Sequence, residues 1–189
     1  MKRLICAAAV LLVFSPLPAV SQTATPPAAA KTKLEAFEAQ EGVVIIQGFS
    51  RMGELKGVYG GSVAVLAKEF THATTGKRES GIVIDVKEGG RIERNNRSFI
   101  DYDEIGALVK GLEYIGKADK SVTKLESFQV DYRTKGDLKV STFNTPGGEV
   151  MVAVSSGRIG ATSVHFKFAD LNALHGLISG AKERLDAAK

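Results

Sequence analysis

From Ser62 onward the chain alternates. Val63, Val65 and Ala67 fall opposite Ala64, Leu66 and Phe70, and Ile82, Ile84 and Val86 oppose Asp85 and Lys87. Phe128, Val130 and Tyr132 likewise oppose Gln129, Asp131 and Arg133. A period of two, broken by Gly-, Pro- or Thr-rich turns, predicts strands that bury one face. Twice the period lengthens. Ile105, Leu108, Val109, Leu112 and Ile115 recur at helical spacing and stop at Gly116. Leu171, Leu174, Leu177, Ile178, Ala181 and Leu185 form a second such stripe near the end of the chain.

These changes of period occur in the same order in two stretches. GIVIDVKEGGRI followed by SFIDYDEIGALVKGLEYI has a counterpart in EVMVAVSSGRI followed by SVHFKFADLNALHGLI. Gly90-Arg91-Ile92 matches Gly157-Arg158-Ile159, Tyr102 matches Phe168, and Leu108 matches Leu174. Order, turn chemistry and apolar phase agree, which is the signature of an internal duplication. The fold class expected is α+β: a ββββα unit used twice, over about 42–118 and 124–189, within one domain spanning 33–189. The antiparallel strands would form two packed sheets or a distorted barrel, with a helix from each copy covering an open face or edge.

Several finer expectations follow. Leu34 and Phe37 share one helical face, so a short helix is expected at Lys33–Gln40. Val43-Val-Ile-Ile46 reads as a strand buried on both faces, and Arg51–Gly61, with its glycines, as a loop or twisted hairpin tip. Gly89-Gly90 reads as a two-residue hairpin connection. The following strand should turn Ile100 and Tyr102 inward and Phe99 and Asp101 outward. Asp101-x-x-Glu104 has the spacing of a capping box for the first amphipathic helix.

The start of the chain changes the setting. Met1-Lys2-Arg3, an uncharged run from Leu4 to Phe14, the helix-breaking Ser15-Pro-Leu-Pro and Ala19-Val20-Ser21 read as a secretory signal cleaved after Ser21. The apolar run is too short for a membrane anchor, which needs about 20 residues. Secretion or export to a periplasm is therefore expected. Cys6 would leave with the signal, so the mature chain would lack disulfides, thiol nucleophiles and thiolate metal sites. Removing Lys2 and Arg3 lowers the formal charge from +4 to +2, which weakens the case for polyanion binding. Gln22–Thr32, mostly Ala, Thr and Pro, reads as a flexible linker.

Candidate chemistry is sparse. Gly111-x-x-x-x-Gly116-Lys117 approaches a phosphate-binding loop, but it sits at a helix end and Ala118 replaces the required hydroxyl. No two of His72, His165 and His175 have metal-ligand spacing, and neither metal nor cofactor is expected. Ser155-Ser156 lies at a hairpin turn outside any nucleophile motif, and Asn96-Arg97-Ser98 is a sequon that matters only in a eukaryotic host. Asp101, Asp103 and Glu104 form an acidic group that would suit acid–base catalysis, although helix capping accounts for at least two of the three. Arg91, Arg94 and Arg97 make the densest basic stretch, though Arg94 faces away from the other two on a strand. Together with Tyr59 in the Gly-rich segment, they are the candidate ligand contacts.

The duplicated ββββα order resembles that of the Whirly-type single-strand-binding domains. The resemblance lies in element order over the repeated region and implies, as one functional expectation, an oligonucleotide-binding module using Arg91, Arg94 and Arg97. A secreted hydrolase centred on Asp101 and Asp103 is a second expectation. The leading one is an exported, non-enzymatic protein that binds a partner protein or a small apolar ligand through its sheets or its Gly-rich segment.

Overall fold

The computed structural model describes residues 30–90 and 93–189. The expected signal peptide, most of the expected linker, and Arg91 lie outside the described residues. A short helix α1 (Lys33–Glu38) precedes strands β1 (Ile45–Lys56), β2 (Ser62–His72), β3 (Arg78–Glu88) and β4 (Arg94–Asp101), followed by helix α2 (Tyr102–Ile115). After a single 3-10 turn come β5 (Gln129–Arg133), β6 (Leu138–Asn144), β7 (Val150–Ser156), β8 (Thr162–Lys167) and helix α3 (Asp170–Asp186). The strands form two antiparallel meanders, β1-β2-β3-β4 and β5-β6-β7-β8. These are open sheets rather than a barrel, and the duplicated ββββα order holds.

The core lies between the two sheets. Val63, Val65, Ile82, Ile84 and Ile100 from the first meet Val140, Val152, Val154, Val164 and Phe166 from the second. Ile105, Leu108, Leu112 and Ile115 of α2 and Leu171, Leu174, Ile178 and Leu185 of α3 complete the same cluster. The helices do not stay with their own repeat. α3 packs across β1, β2 and β3, whereas α2 touches β3 and β4 as well as β5 and β6. Polar bonds join the sheets at one edge: Ser98 and Ser156 share a buried hydroxyl contact at 2.7 Å, and Asn96 Nδ2 donates to the Ser156 carbonyl at 3.1 Å.

The first sheet is covered on its other face too. α1 lays Leu34 and Phe37 over Phe70, Val83 and Phe99, with the Phe37 and Phe70 rings stacked 6.0 Å apart. Thr32 caps this helix by accepting the Glu35 N–H at 3.1 Å, and Lys31 forms an ion pair with Asp137. Lys31 and Thr32, assigned to the linker by composition, thus belong to the packed chain.

This cover corrects two expectations. Phe99 and Asp101 do face away from the main core, but α1 buries them instead of leaving them to solvent. Asp101 precedes α2 without capping it, because its carboxylate accepts the backbone N–H groups of Lys33 and Leu34 in α1.

Three further differences concern β1 and its neighbours. Val43–Ile46 is not buried on both faces: Val44 is 68% exposed and Ile46 59%, because β1 is an edge strand. Arg51–Gly61 is strand as far as Lys56, with a bulge at Met52 between Arg51 and Gly53. The extra residue shifts the phase, so that Gly53 and Leu55 align with Val65 and Val63 on the core side. The β3–β4 connection spans residues 89–93, since Glu88 pairs with Arg94, and is longer than a two-residue turn. Among the described residues no helix is long and apolar enough to cross a membrane.

Candidate functional site

Unlike the first sheet, the second has a face that no helix covers among the described residues. The register lays three rows across it. Gln129, Phe143, Met151 and Lys167 form one; Asp131, Ser141, Ala153 and His165 the next; Arg133, Lys139, Ser155 and Ser163 the third. The middle is floored by small side chains, with Ala153 flanked by Ser141 and Ser155, all three buried. Larger groups stand around this floor.

At one end is an aromatic group built partly by the first repeat. After β1 the chain reaches β8, where the Val58 N–H donates to the His165 carbonyl at 2.9 Å. Gly57 permits that approach. A Cβ there would overlap Val164 Cγ1 and lie 2.9 Å from the His165 carbonyl oxygen. Two residues on, Tyr59 stands 74% exposed, edge-on to the His165 ring at 5.9 Å, with its hydroxyl 4.0 Å from Met151 Sδ. Phe143 meets His165 edge-on from the other side at 6.2 Å.

The opposite end is basic. Arg133, Lys139 and Arg158, with Thr134, Ser155 and Ser163, line an open groove of about 520 Å³. Asp137 enters the same groove, 3.9 Å from Arg158 Nε. Asp131, in the row between the two ends, has a depressed pKa. Burial alone would raise it, but the Ser141 hydroxyl, the Gln129 amide, Lys139 and Arg133 together hold the carboxylate charged. The face therefore presents aromatic groups, Tyr59 foremost, over a buried Met151 and beside positive charge. Such a surface can stack on or pack against a flat or apolar group and pair with an anion.

Of the expected ligand contacts, Tyr59 belongs to this face. Arg97 lies instead on the first sheet beneath α1, pairing with Asp85 at 2.9 Å and with Glu38 at 3.4 Å. Those carboxylates raise its pKa, the Asp85 hydrogen bond foremost, and the guanidinium sits 6.0 Å over the Phe99 ring. It braces the helix. Arg94, three residues back on β4, is exposed opposite Glu88, so the structure does not bring Arg94 and Arg97 to one surface.

The expected acidic group is divided among structural tasks. Asp101 binds the start of α1, Asp103 pairs with Lys33 Nζ at 2.8 Å, and Glu104 accepts the Lys135 N–H at 2.9 Å. The hydrogen bond from Lys33 lowers the Asp103 pKa. The histidines occupy three separate places. His72 Nδ1 accepts two amides of its own turn, His175 lies 3.5 Å from Glu113, and His165 is in the aromatic group. Phe143, Met151, His165 and Lys139 were missed by sequence reasoning. Their one signal was parity, since all four take the outward phase of strands whose other phase feeds the core.

No family model, no curated protein and no solved structure matches this chain.

Proposed function

We propose that this chain is an exported, non-enzymatic interaction module that holds a partner protein against the uncovered face of the second sheet. One observation carries the reading: the first repeat crosses to the second through Gly57 and Val58 and leaves the Tyr59 ring standing in solvent beside His165 and Met151. An exposed tyrosine on a fixed backbone gives a large contact area at low entropic cost. Phe143 extends the apolar centre, and Arg133, Lys139 and Lys167 make a rim suited to an acidic segment. The face is broad and its groove is open, which favours a macromolecule over an enclosed small ligand.

Export rests on the signal-like start of the chain, and intact-mass measurement of the released protein should find it beginning at or near Gln22. The face itself is tested by placing a photo-crosslinking amino acid at position 59 and, as a control, at Tyr114, which is 71% exposed on α2. Adducts with a partner should form from position 59, be absent from position 114, and be lost when Arg133→Glu and Lys139→Glu are added. The same adducts from both positions, or none from position 59, would refute the assignment.

A further inference from the structure

The two sheets have four edges, and three are protected among the described residues. The turn at 134–137 closes over β4 so tightly that a Cβ on Gly136 would overlap the Phe99 carbonyl. The edge of β8 receives the Val58 N–H, and β5 is only five residues long with Asp131 and Arg133 along it. Short strands, charges and covering loops are the usual defences of an edge.

Among the described residues β1 has none of these over its first half. Gly42–Ser50 carries no charge and no proline, yet Val44, Ile46 and Phe49 are 68%, 59% and 69% exposed. The backbone there is half unpaired. Ala73 N–H donates to the Val44 carbonyl, which sets the alternation. Val44, Ile46 and Gly48 turn their backbone groups toward β2, and Ile45, Gln47 and Phe49 turn theirs outward.

Gly48 adds an independent observation. Its φ is not positive, and a Cβ there would meet nothing within 4 Å, so nothing among the described residues requires a glycine. Glycine weakens a strand, and inside one it commonly marks the close approach of another backbone.

We propose that a second copy of this chain pairs antiparallel along residues 44–50, about a two-fold axis passing by Gln47. In that register Gln47 faces Gln47 of the second copy and Ile45 faces Phe49 of the second copy. These are the residues with outward backbone groups, so each pair exchanges two hydrogen bonds. Between them Ile46 falls opposite Gly48 of the second copy, in the pair type whose Cα atoms approach to about 4.5 Å. A bulky side chain meets a missing one, twice, by symmetry. Paired positions share parity, as a two-fold axis perpendicular to the sheet demands, and the result is one continuous eight-stranded sheet. With no charge in either paired segment, the pairing carries no electrostatic penalty. The second copy is favoured over a foreign strand because the segment complements itself in both shape and hydrogen bonding.

Light scattering on the protein as purified, at about 100 µM so as to exceed a micromolar Kd, should give twice the chain mass. Gln47→Pro removes an N–H that β2 does not use, and Gly48→Val fills the gap left for Ile46. Both variants should keep the parent circular-dichroism spectrum and run at the single-chain mass. In a Cys6→Ser background, Gln47→Cys should oxidise to a covalent dimer, whereas Ile45→Cys, which faces position 49, should not. A monomeric parent, a dimer that survives both substitutions, or equal linking through positions 45 and 47 would overturn the proposal. A monomeric parent that instead takes up an added extended peptide at this edge would assign the edge to a foreign strand and equally refute the second copy.

Discussion

Asp101 Oδ1 accepts the backbone N–H of Leu34 at 3.0 Å across 67 positions of sequence, while its Oδ2 accepts that of Lys33 at the same distance. One carboxylate at the end of β4 thus supplies the N-terminal partners of α1, a helix of six residues that would not persist alone. Leu34 is fully buried, so this bond fixes the helix at the point where its apolar face meets the first sheet.

Asp101→Ala should therefore destabilise the fold by about 1–3 kcal/mol, because two helix N–H groups lose their acceptor in a buried setting. Asp101→Asn keeps one acceptor oxygen and should lose less. Urea unfolding gives the magnitudes, and hydrogen exchange at the Lys33 and Leu34 amides gives the location. If those amides stay as protected in the alanine variant as in the parent, α1 is held by its apolar face alone.

Two glycines in α2 should respond to alanine with opposite signs. Gly106 has open space where a Cβ would go, so Gly106→Ala should stabilise by roughly 0.5–1 kcal/mol through helix propensity alone. At Gly111 the same Cβ would fall on the Tyr132 ring, 2.5 Å from Cε2. There the gain in propensity is outweighed by overpacking, and a net loss of about 1–3 kcal/mol is expected. Thermal melts of the two variants against the parent decide both signs.

The contrast between those glycines shows where the sequence was readable. Periodicity located the helices and most strands, since the inward positions of β2, β3, β6 and β7 must be apolar whatever lies opposite them. The duplication came from the same signal. Spacing could not tell which helix a capping residue serves. Asp101-x-x-Glu104 and Thr32-x-x-Glu35 have the same form, yet only Thr32 caps the helix that follows it. The exposure of Val44 and Ile46 was hidden for a related reason. An apolar run reads alike whether a strand is central or at an edge, and strand order is decided by distant contacts. The candidate face was half legible. Tyr59 stood out in a Gly-rich segment, but the bulge at Met52 and the crossing to β8 that bring it beside His165 leave no local mark.

Asp131 should impart an acid sensitivity with a defined sign. Its folded-state pKa lies below the usual 3.8, so the interaction is fully present above that value and disappears as pH falls through the depressed one. Asp131→Asn should thus be less stable than the parent near neutral pH, with the gap closing on acidification below about pH 4. Denaturation curves for both proteins between neutral and strongly acid pH test this. A gap that is constant with pH would mean that shape, not charge, makes the difference.

Leu108 and Leu174, matched by the duplication, reach equivalent depth by different routes. Leu108 is fully buried and Leu174 2% exposed within the one core cluster, but α2 bridges both sheets while α3 lies across the first. If the repeats were independent units, truncating either leucine would loosen only its own half. Because each helix contacts the other repeat's sheet, either Leu→Ala change should lower stability by about 2–5 kcal/mol and do so in a single transition. Lys110, exposed on α2, is the control, and Lys110→Ala should shift stability by less than about 0.5 kcal/mol. Unfolding should be followed by the fluorescence of Tyr59, beside the second sheet, in a background with Tyr102, Tyr114 and Tyr132 replaced by Phe, and by far-ultraviolet ellipticity from all elements. Coincident curves for Leu174→Ala would show that a defect in the first sheet's cover is felt on the far face of the second. Two separated transitions would instead mean that the repeats melt as independent units despite their shared core.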